Sequence, residues 1–192
     1  MATVTESTAV KESPARRRIL DTATALFYGE GVHGVGVDRI IAEAGVAKAT
    51  FYHHFPAKDD LVRSYLDEQY ARQREAFTAV RARALTPQET ITAIFDFMIK
   101  FGAEPGYRGC PFINVAAEYP DPRDPVRQIV EAQRVWTRAT FRELLAAAGD
   151  PEPDRAAGVL MLLRDGVAVG SDLDDTEALR AVTRDAVARV LT

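Results

Sequence analysis

The chain is predicted to be all-α, and three observations carry that expectation. No stretch alternates apolar and polar residues with period two over the length of a strand. Apolar residues instead recur three and four apart through most of the 192 residues. Three pairs of a capping residue followed by proline, Ser13-Pro14, Thr86-Pro87 and Asp124-Pro125, mark helix starts.

In chain order, residues 1–12 are polar and lack an apolar signal core, so they read as a disordered leader. A first helix begins with Ser13 as its N-cap, carries Ile19, Ala23, Leu26 and Phe27 on one face, and ends at Gly29 to Gly31. Arg16, Arg17 and Arg18 spread around its start, within reach of a phosphate backbone. The connection Val32-His33-Gly34-Val35-Gly36 lacks both a following Gly-Lys-Ser/Thr and a third glycine, so it does not fit a nucleotide-binding loop.

A second helix over Val37 to Ala44 carries Val37, Ile40, Ile41 and Ala44 on one face. A third starts near Lys48 and pairs Phe51 with Phe55. Between them Gly45 can take positive φ, and Val46 supplies an apolar plug, which together make a helix-turn-helix corner. The non-core positions of the third helix include Lys48, Thr50, Tyr52, His53 and His54, groups suited to phosphate oxygens and base edges.

Lys58 opens a long helix to about Ala84, with Leu61, Val62, Tyr65, Leu66, Phe77 and Val80 on its apolar side. Thr86-Pro87-Gln88-Glu89 is a capping box for a helix that stops at Gly102. A short helix opens around Gly109-Cys110-Pro111 and ends near Tyr119-Pro120. Asp124-Pro125 starts the next, which runs to Gly149. Two more follow, roughly Pro153 to Gly170 and Asp174 to Leu191.

With 47% apolar residues the chain can bury a substantial core, and no run approaches the ~18–20 apolar residues of a membrane span. One cysteine excludes an internal disulfide framework and a multi-cysteine metal site. The net charge of −4 is unevenly placed. Residues 13–58 hold six cations against four anions, a balance of +2, whereas residues 59–192 carry −5. A mildly basic head on an acidic body is compatible with DNA binding.

Residues from about Arg16 to Leu61 resemble the DNA-binding domain of tetracycline-repressor (TetR) family regulators. The resemblance rests on Ile19-Leu20-Asp21-Thr22-Ala23, Leu26-Phe27, Gly31, Ile40-Ile41-Ala42-Glu43-Ala44-Gly45-Val46, Phe51-Tyr52-His53-His54-Phe55 and Lys58-Asp59-Asp60-Leu61. It implies a DNA-binding head over 13–58 and a helical ligand-binding and dimerisation body over 59–192. Lys48 and Thr50 are then base readers, and Tyr52, His53 and His54 make backbone or mixed contacts. Lys58 and Arg16 grip phosphate. Gly36 stands where the family usually has Thr or Ser, leaving the backbone N–H groups of Val37 and Asp38 as donors.

Other chemistry finds little footing. His53 and His54 point about 100° apart on a helix, whereas chelation from one helix wants four-residue spacing, so no metal is expected. There is no His-Glu-x-x-His, no Gly-x-Ser-x-Gly and no histidine in the body, so neither an enzyme nor a cofactor is expected. Cys110 stays open between a redox trigger and a structural helix start. The resemblance also implies an effector cavity in the body, with Phe95, Met98, Phe101, Phe112, Trp136 and Met161 as candidate lining and Asn114, Glu118 or Gln133 orienting a polar group. Each of these side chains also fits an ordinary core position.

The expected function is a cytoplasmic, homodimeric, ligand-responsive transcriptional regulator, a repressor on a palindromic double-stranded DNA operator, with no membrane partner. The final two helices are expected to pair with their two-fold mates. Two alternatives differ in class: a constitutive regulator without ligand control, and an all-α binding protein or enzyme with a vestigial head.

Overall fold

The computed structural model describes residues 13–84 and 86–192; the leader expected over 1–12 lies outside them. The described residues form nine α-helices and no strand: α1 (Pro14–Glu30), α2 (Val37–Ala44), α3 (Lys48–His54), α4 (Lys58–Arg81), α5 (Pro87–Gly102), α6 (Pro111–Glu118), α7 (Pro125–Ala147), α8 (Pro153–Leu173) and α9 (Thr176–Val190). They divide into two compact units, the first running to Leu61 and the second from Val62 to Thr192.

In the first unit α1, α2 and α3 pack on one another. Their apolar faces bury Ile19, Ala23, Phe27, Ile40, Ala44, Phe51 and Phe55, closed by Val32 and Val35 from the connection. Val37 and Ile41, on the edge of the same face of α2, are half-buried. Gly45 takes φ 62° and ψ 43°. Its N–H donates to Ala42 O and that of Val46 to Ile41 O, both at 3.3 Å, so the last carbonyls of α2 are satisfied as the chain turns into α3.

The second unit is built around α8, which packs against α5, α7 and α9. One apolar cluster joins Phe77 of α4, Ile91, Ile94 and Phe95 of α5, Phe141 and Leu145 of α7, Leu160, Met161 and Val167 of α8, and Val187 of α9. The capping box is present: Thr86 Oγ1 accepts from Glu89 N at 3.1 Å, and Glu89 Oε2 accepts from Thr86 N at 2.9 Å. Asp124 caps α7 by accepting from Val126 N at 2.7 Å.

Several boundaries differ from those expected, and α7 stops at Ala147 rather than Gly149. α4 ends at Arg81, short of Ala84, because the chain must leave the helix to reach extended Thr86 before Pro87. α8 continues past Gly170 to Leu173, since that glycine is a packing site: a Cβ there would lie 3.0 Å from Leu179 Cδ1 and Asp174 Oδ2. α9 begins at Thr176, capped by Asp175, whose carboxylate accepts from Ala178 N at 2.9 Å.

Candidate nucleic-acid interface

α3 is seven residues long and is fixed from below by Phe51 and Phe55, both buried with ring centroids 6.1 Å apart. Anchoring that face turns the others outward. Lys48 and His53 are exposed, Thr50 is half-buried, and Tyr52 is 43% exposed with its ring edge-on to Phe51 at 5.3 Å. The His53 and His54 rings are 4.9 Å apart at 68°.

Several of these groups are already engaged. Lys48 Nζ donates to Asp38 Oδ1 at 3.2 Å, tying the first turn of α3 to that of α2. Lys58 Nζ donates to Val32 O at 2.6 Å and lies 6.0 Å from the Phe27 ring centre. Arg16 stacks its guanidinium 5.1 Å from the Phe55 ring centre, and Arg17 pairs with Asp21 at 2.6 Å.

Ser13 precedes α1 as expected, but its hydroxyl makes no capping bond. It lies 3.3 Å from His54 Nε2 instead, so the start of α1 and the end of α3 hold each other. Gly36 precedes α2 without a side-chain cap, and Val37 is half-buried.

Arg39 is a scaffold residue that the sequence pattern did not single out. Its Nη1 and Nη2 donate to the two Glu30 oxygens at 2.6 and 2.8 Å, and its Nε donates to Glu43 at 2.7 Å. These bonds hold the Glu30 carboxyl below the usual carboxylate range and raise the guanidinium above its own. One of the six head cations is therefore committed to joining α1 and α2. Its four-residue spacing from Glu43 was the available signal.

The effector candidates of the body lie in several different surroundings among the described residues. Phe95 stacks on Phe141, 5.8 Å apart at 13°, and Met161 is buried in the same core. Met98 packs against that core, half-buried. Trp136 lies among Tyr70 and Phe77, and Phe112 is edge-on to Tyr70. Phe101 is 53% exposed, and Glu118 is half-buried.

Asn114 does line a cavity, of about 130 Å³ between α6 and α8, with Arg108, Cys110, Ile113, Val169 and Leu173 also in its wall. Asn114 Nδ2 also donates to Arg108 O at 2.7 Å. Beside it, Cys110 Sγ lies 3.4 Å from Nη2 of buried Arg164. Asp165 takes two bonds from Arg134 at 3.0 and 2.8 Å and one from Arg164 at 2.6 Å. Burial works against ionisation of Asp165, but the two guanidinium groups outweigh it and hold the carboxyl below its ordinary range. Gln133, fully buried, donates to Gln73 Oε1 at 2.7 Å and to Thr137 Oγ1 at 3.1 Å.

Among the described residues no helix is long and apolar enough to cross a membrane. The geometry is that of a rigid three-helix head presenting a short polar helix. Residues 19–65 match the family described as bacterial regulatory proteins, tetR family, and residues 87–187 match the tetracyclin repressor-like C-terminal domain. The HTH-type transcriptional regulator LmrA of Bacillus subtilis is 30% identical over 141 residues, which is 72% of this chain and 74% of LmrA. Among solved structures, SCO4454, a TetR-family transcriptional regulator from Streptomyces coelicolor, is 43% identical with a TM-score of 0.88, covering 92% of this chain and 94% of its own. CifR, a TetR-family regulator solved with a 26-bp double-strand operator DNA, is 19% identical with a TM-score of 0.80 over 93% of this chain and 98% of its own, a likeness of fold.

Proposed function

The chain belongs to the tetR family of bacterial regulatory proteins and is a DNA-binding transcriptional regulator, and from that premise we propose that it is a cytoplasmic, homodimeric, ligand-responsive repressor. The observation that carries the DNA-reading part is the exposure of Lys48, Tyr52 and His53 on a helix whose other face is locked into a core. On this reading Lys48 and Thr50 read base edges. Tyr52, His53 and His54 make backbone or mixed contacts, and Lys58, Arg16 and the N–H of Val37 contact the backbone.

A seven-residue helix with one lysine cannot hold DNA tightly alone. Affinity comes from presenting two heads at half-sites about 34–36 Å apart, or a multiple of that, which calls for a two-fold dimer and a palindromic operator. The head is assigned to residues 13–58, and residues 59–192 bind the effector and the second copy. CifR bound to operator DNA supports the same use of this fold.

An effector releases the DNA only through its difference in affinity for the two states. The test adds hydrophobic small molecules, first chosen because they raise the melting temperature, to a preformed protein–DNA complex. Dissociation of the complex is the expected result. Thermal stabilisation without dissociation, across all binders found, would point to the constitutive alternative.

A further inference from the structure

Gln133 of α7 is fully buried, and its amide is held at one end only. Nε2 donates to Gln73 Oε1 of α4 at 2.7 Å and to Thr137 Oγ1 at 3.1 Å, which spends both of its protons. Thr137 Oγ1 donates its own proton to Gln133 O at 2.9 Å, so toward the amide it can only accept. That fixes which end of the amide is nitrogen. The other end, Oε1, is buried without a hydrogen-bond partner among the described residues. The great majority of buried acceptors are paired, and one left bare costs folding free energy.

Aromatic rings frame this amide pair. Tyr70 lies one turn before Gln73 on α4 and Phe77 one turn after it, while Trp136 lies one turn after Gln133 on α7. The Trp136 ring is 5.7 Å from that of Tyr70 and 5.4 Å from that of Phe77, and Tyr70 stands edge-on to Phe112 of α6 at 84°. Phe77 and Phe112 are buried, whereas Tyr70, Gln73 and Trp136 are half-buried, so the frame runs from the core to the surface.

Resting on the ligand-responsive reading above, we propose that Gln133 Oε1 is the specificity-determining acceptor of an effector site between α4, α6 and α7. The effector class it selects is a neutral aromatic compound with an O–H or N–H to donate, of which a phenol is the simplest.

The spent protons decide the polar end of the ligand. With both used inside the protein, the amide has only an acceptor to offer, so a ligand that carries acceptors alone gains nothing from it. A carboxylate would set its negative charge against the same oxygen. A cation would meet Arg74, whose guanidinium lies 5.7 Å from the Tyr70 ring centre. The rings decide the rest of the molecule. Tyr70 meets Phe112 and Trp136 at 84° and 73°, and a further flat ring can join them in the same edge-to-face manner.

The test uses the full chain, with the fluorescence of Trp136, its sole tryptophan, as the reporter. The probes are para-propylphenol and para-propylanisole, a matched pair in which the methyl ether has no proton to donate. The native chain is expected to bind the phenol about 10-fold more tightly than the ether. In Gln133→Leu that preference disappears. In Gln73→Leu, a change at a half-buried position that frees one Nε2 proton for the ether oxygen, it narrows to about threefold. Equal binding of the two probes to the native chain, binding of neither, or a preference that survives Gln133→Leu overturns the site. Should Gln133→Leu fail to fold, an unchanged preference in Gln73→Leu overturns it instead. Release of DNA is followed separately on a preformed complex. Donor-selective binding that leaves that complex intact supports the site and counts against the ligand-responsive reading, whereas release by other binders, with no donor preference here, overturns the site alone.

Discussion

Lys48, on the first turn of α3, donates to Asp38, on the first turn of α2, across 3.2 Å, and both side chains are exposed. The carboxylate thus sits beside the lysine assigned to base reading, at the surface that would meet phosphates. Asp38→Asn removes a negative charge there and releases Lys48. The variant is expected to bind DNA about threefold to tenfold more tightly at low salt, with less discrimination between operator and random duplex. Fluorescence anisotropy on both duplexes measures this; equal or weaker binding to both would mean that Asp38 itself contacts the operator.

Lys58 is held by the Val32 carbonyl at 2.6 Å, so a phosphate oxygen would be a second acceptor for an ammonium that already has a structural one. Lys58→Met is expected to weaken binding and to make the slope of log K against log salt shallower by about 0.9 for each phosphate no longer neutralised. The same drop in affinity at an unchanged slope would show that Lys58 acts only by fixing the connection before α2.

Two glycines carry opposite kinds of constraint. Gly45 needs its left-handed backbone, so Gly45→Ala is expected to cost the head about 1 kcal/mol with no clash, because nothing lies within 4 Å of an added Cβ. Gly102 needs room, since a Cβ there would lie 2.3 Å from Ser171 Cβ. Gly102→Ala is expected to cost about 1–3 kcal/mol by forcing α5 and α8 apart. Urea unfolding followed by circular dichroism ranks the two, and Gly102→Ala at wild-type stability would contradict the close packing.

Asp165 gives the body a sensitivity to acid. Its folded carboxyl ionises below the unfolded value, so the stabilisation is present above the ordinary carboxylate range and is lost as pH falls through the lower, folded value. Melting temperature is expected to drop through that window in the native chain and to change less in Asp165→Asn. That variant is also expected to lose about 3–5 kcal/mol at neutral pH, because Arg164 stays buried without its counter-charge. A pH profile identical in both chains would remove Asp165 from this role.

The helices were legible wherever local chemistry dictates them. Thr86 and Glu89 form a reciprocal cap that three-residue spacing announces, and Gly45-Val46 forms a turn that only glycine enters without strain. Gly170 misleads because glycine ends a helix in one context and lets two helices touch in another, and only the position of Leu179 tells them apart. The partners of the site residues were less legible. Ser13 meets His54 across 41 positions, and Cys110 meets Arg164 across 54, distances at which no local pattern operates. For the same reason Phe95 and Phe101, both aromatic residues of α5, end in different places, one stacked in the core and one half exposed beside Phe97 and Tyr107. The cavity has two walls from α6 and α8, which share no sequence signature.

The role of α3 as the DNA reader of a two-headed regulator is decided by titrating duplex DNA flanking the chain's own gene across a range of salt. Wild-type and Tyr52→Ala chains are compared on that duplex and on a scrambled one. The native chain is expected to bind the first duplex tightly, with binding that weakens steeply with salt and falls about 10-fold or more in Tyr52→Ala. Salt-insensitive binding, or a Tyr52→Ala chain as strong as the native one, would rule out that role for α3.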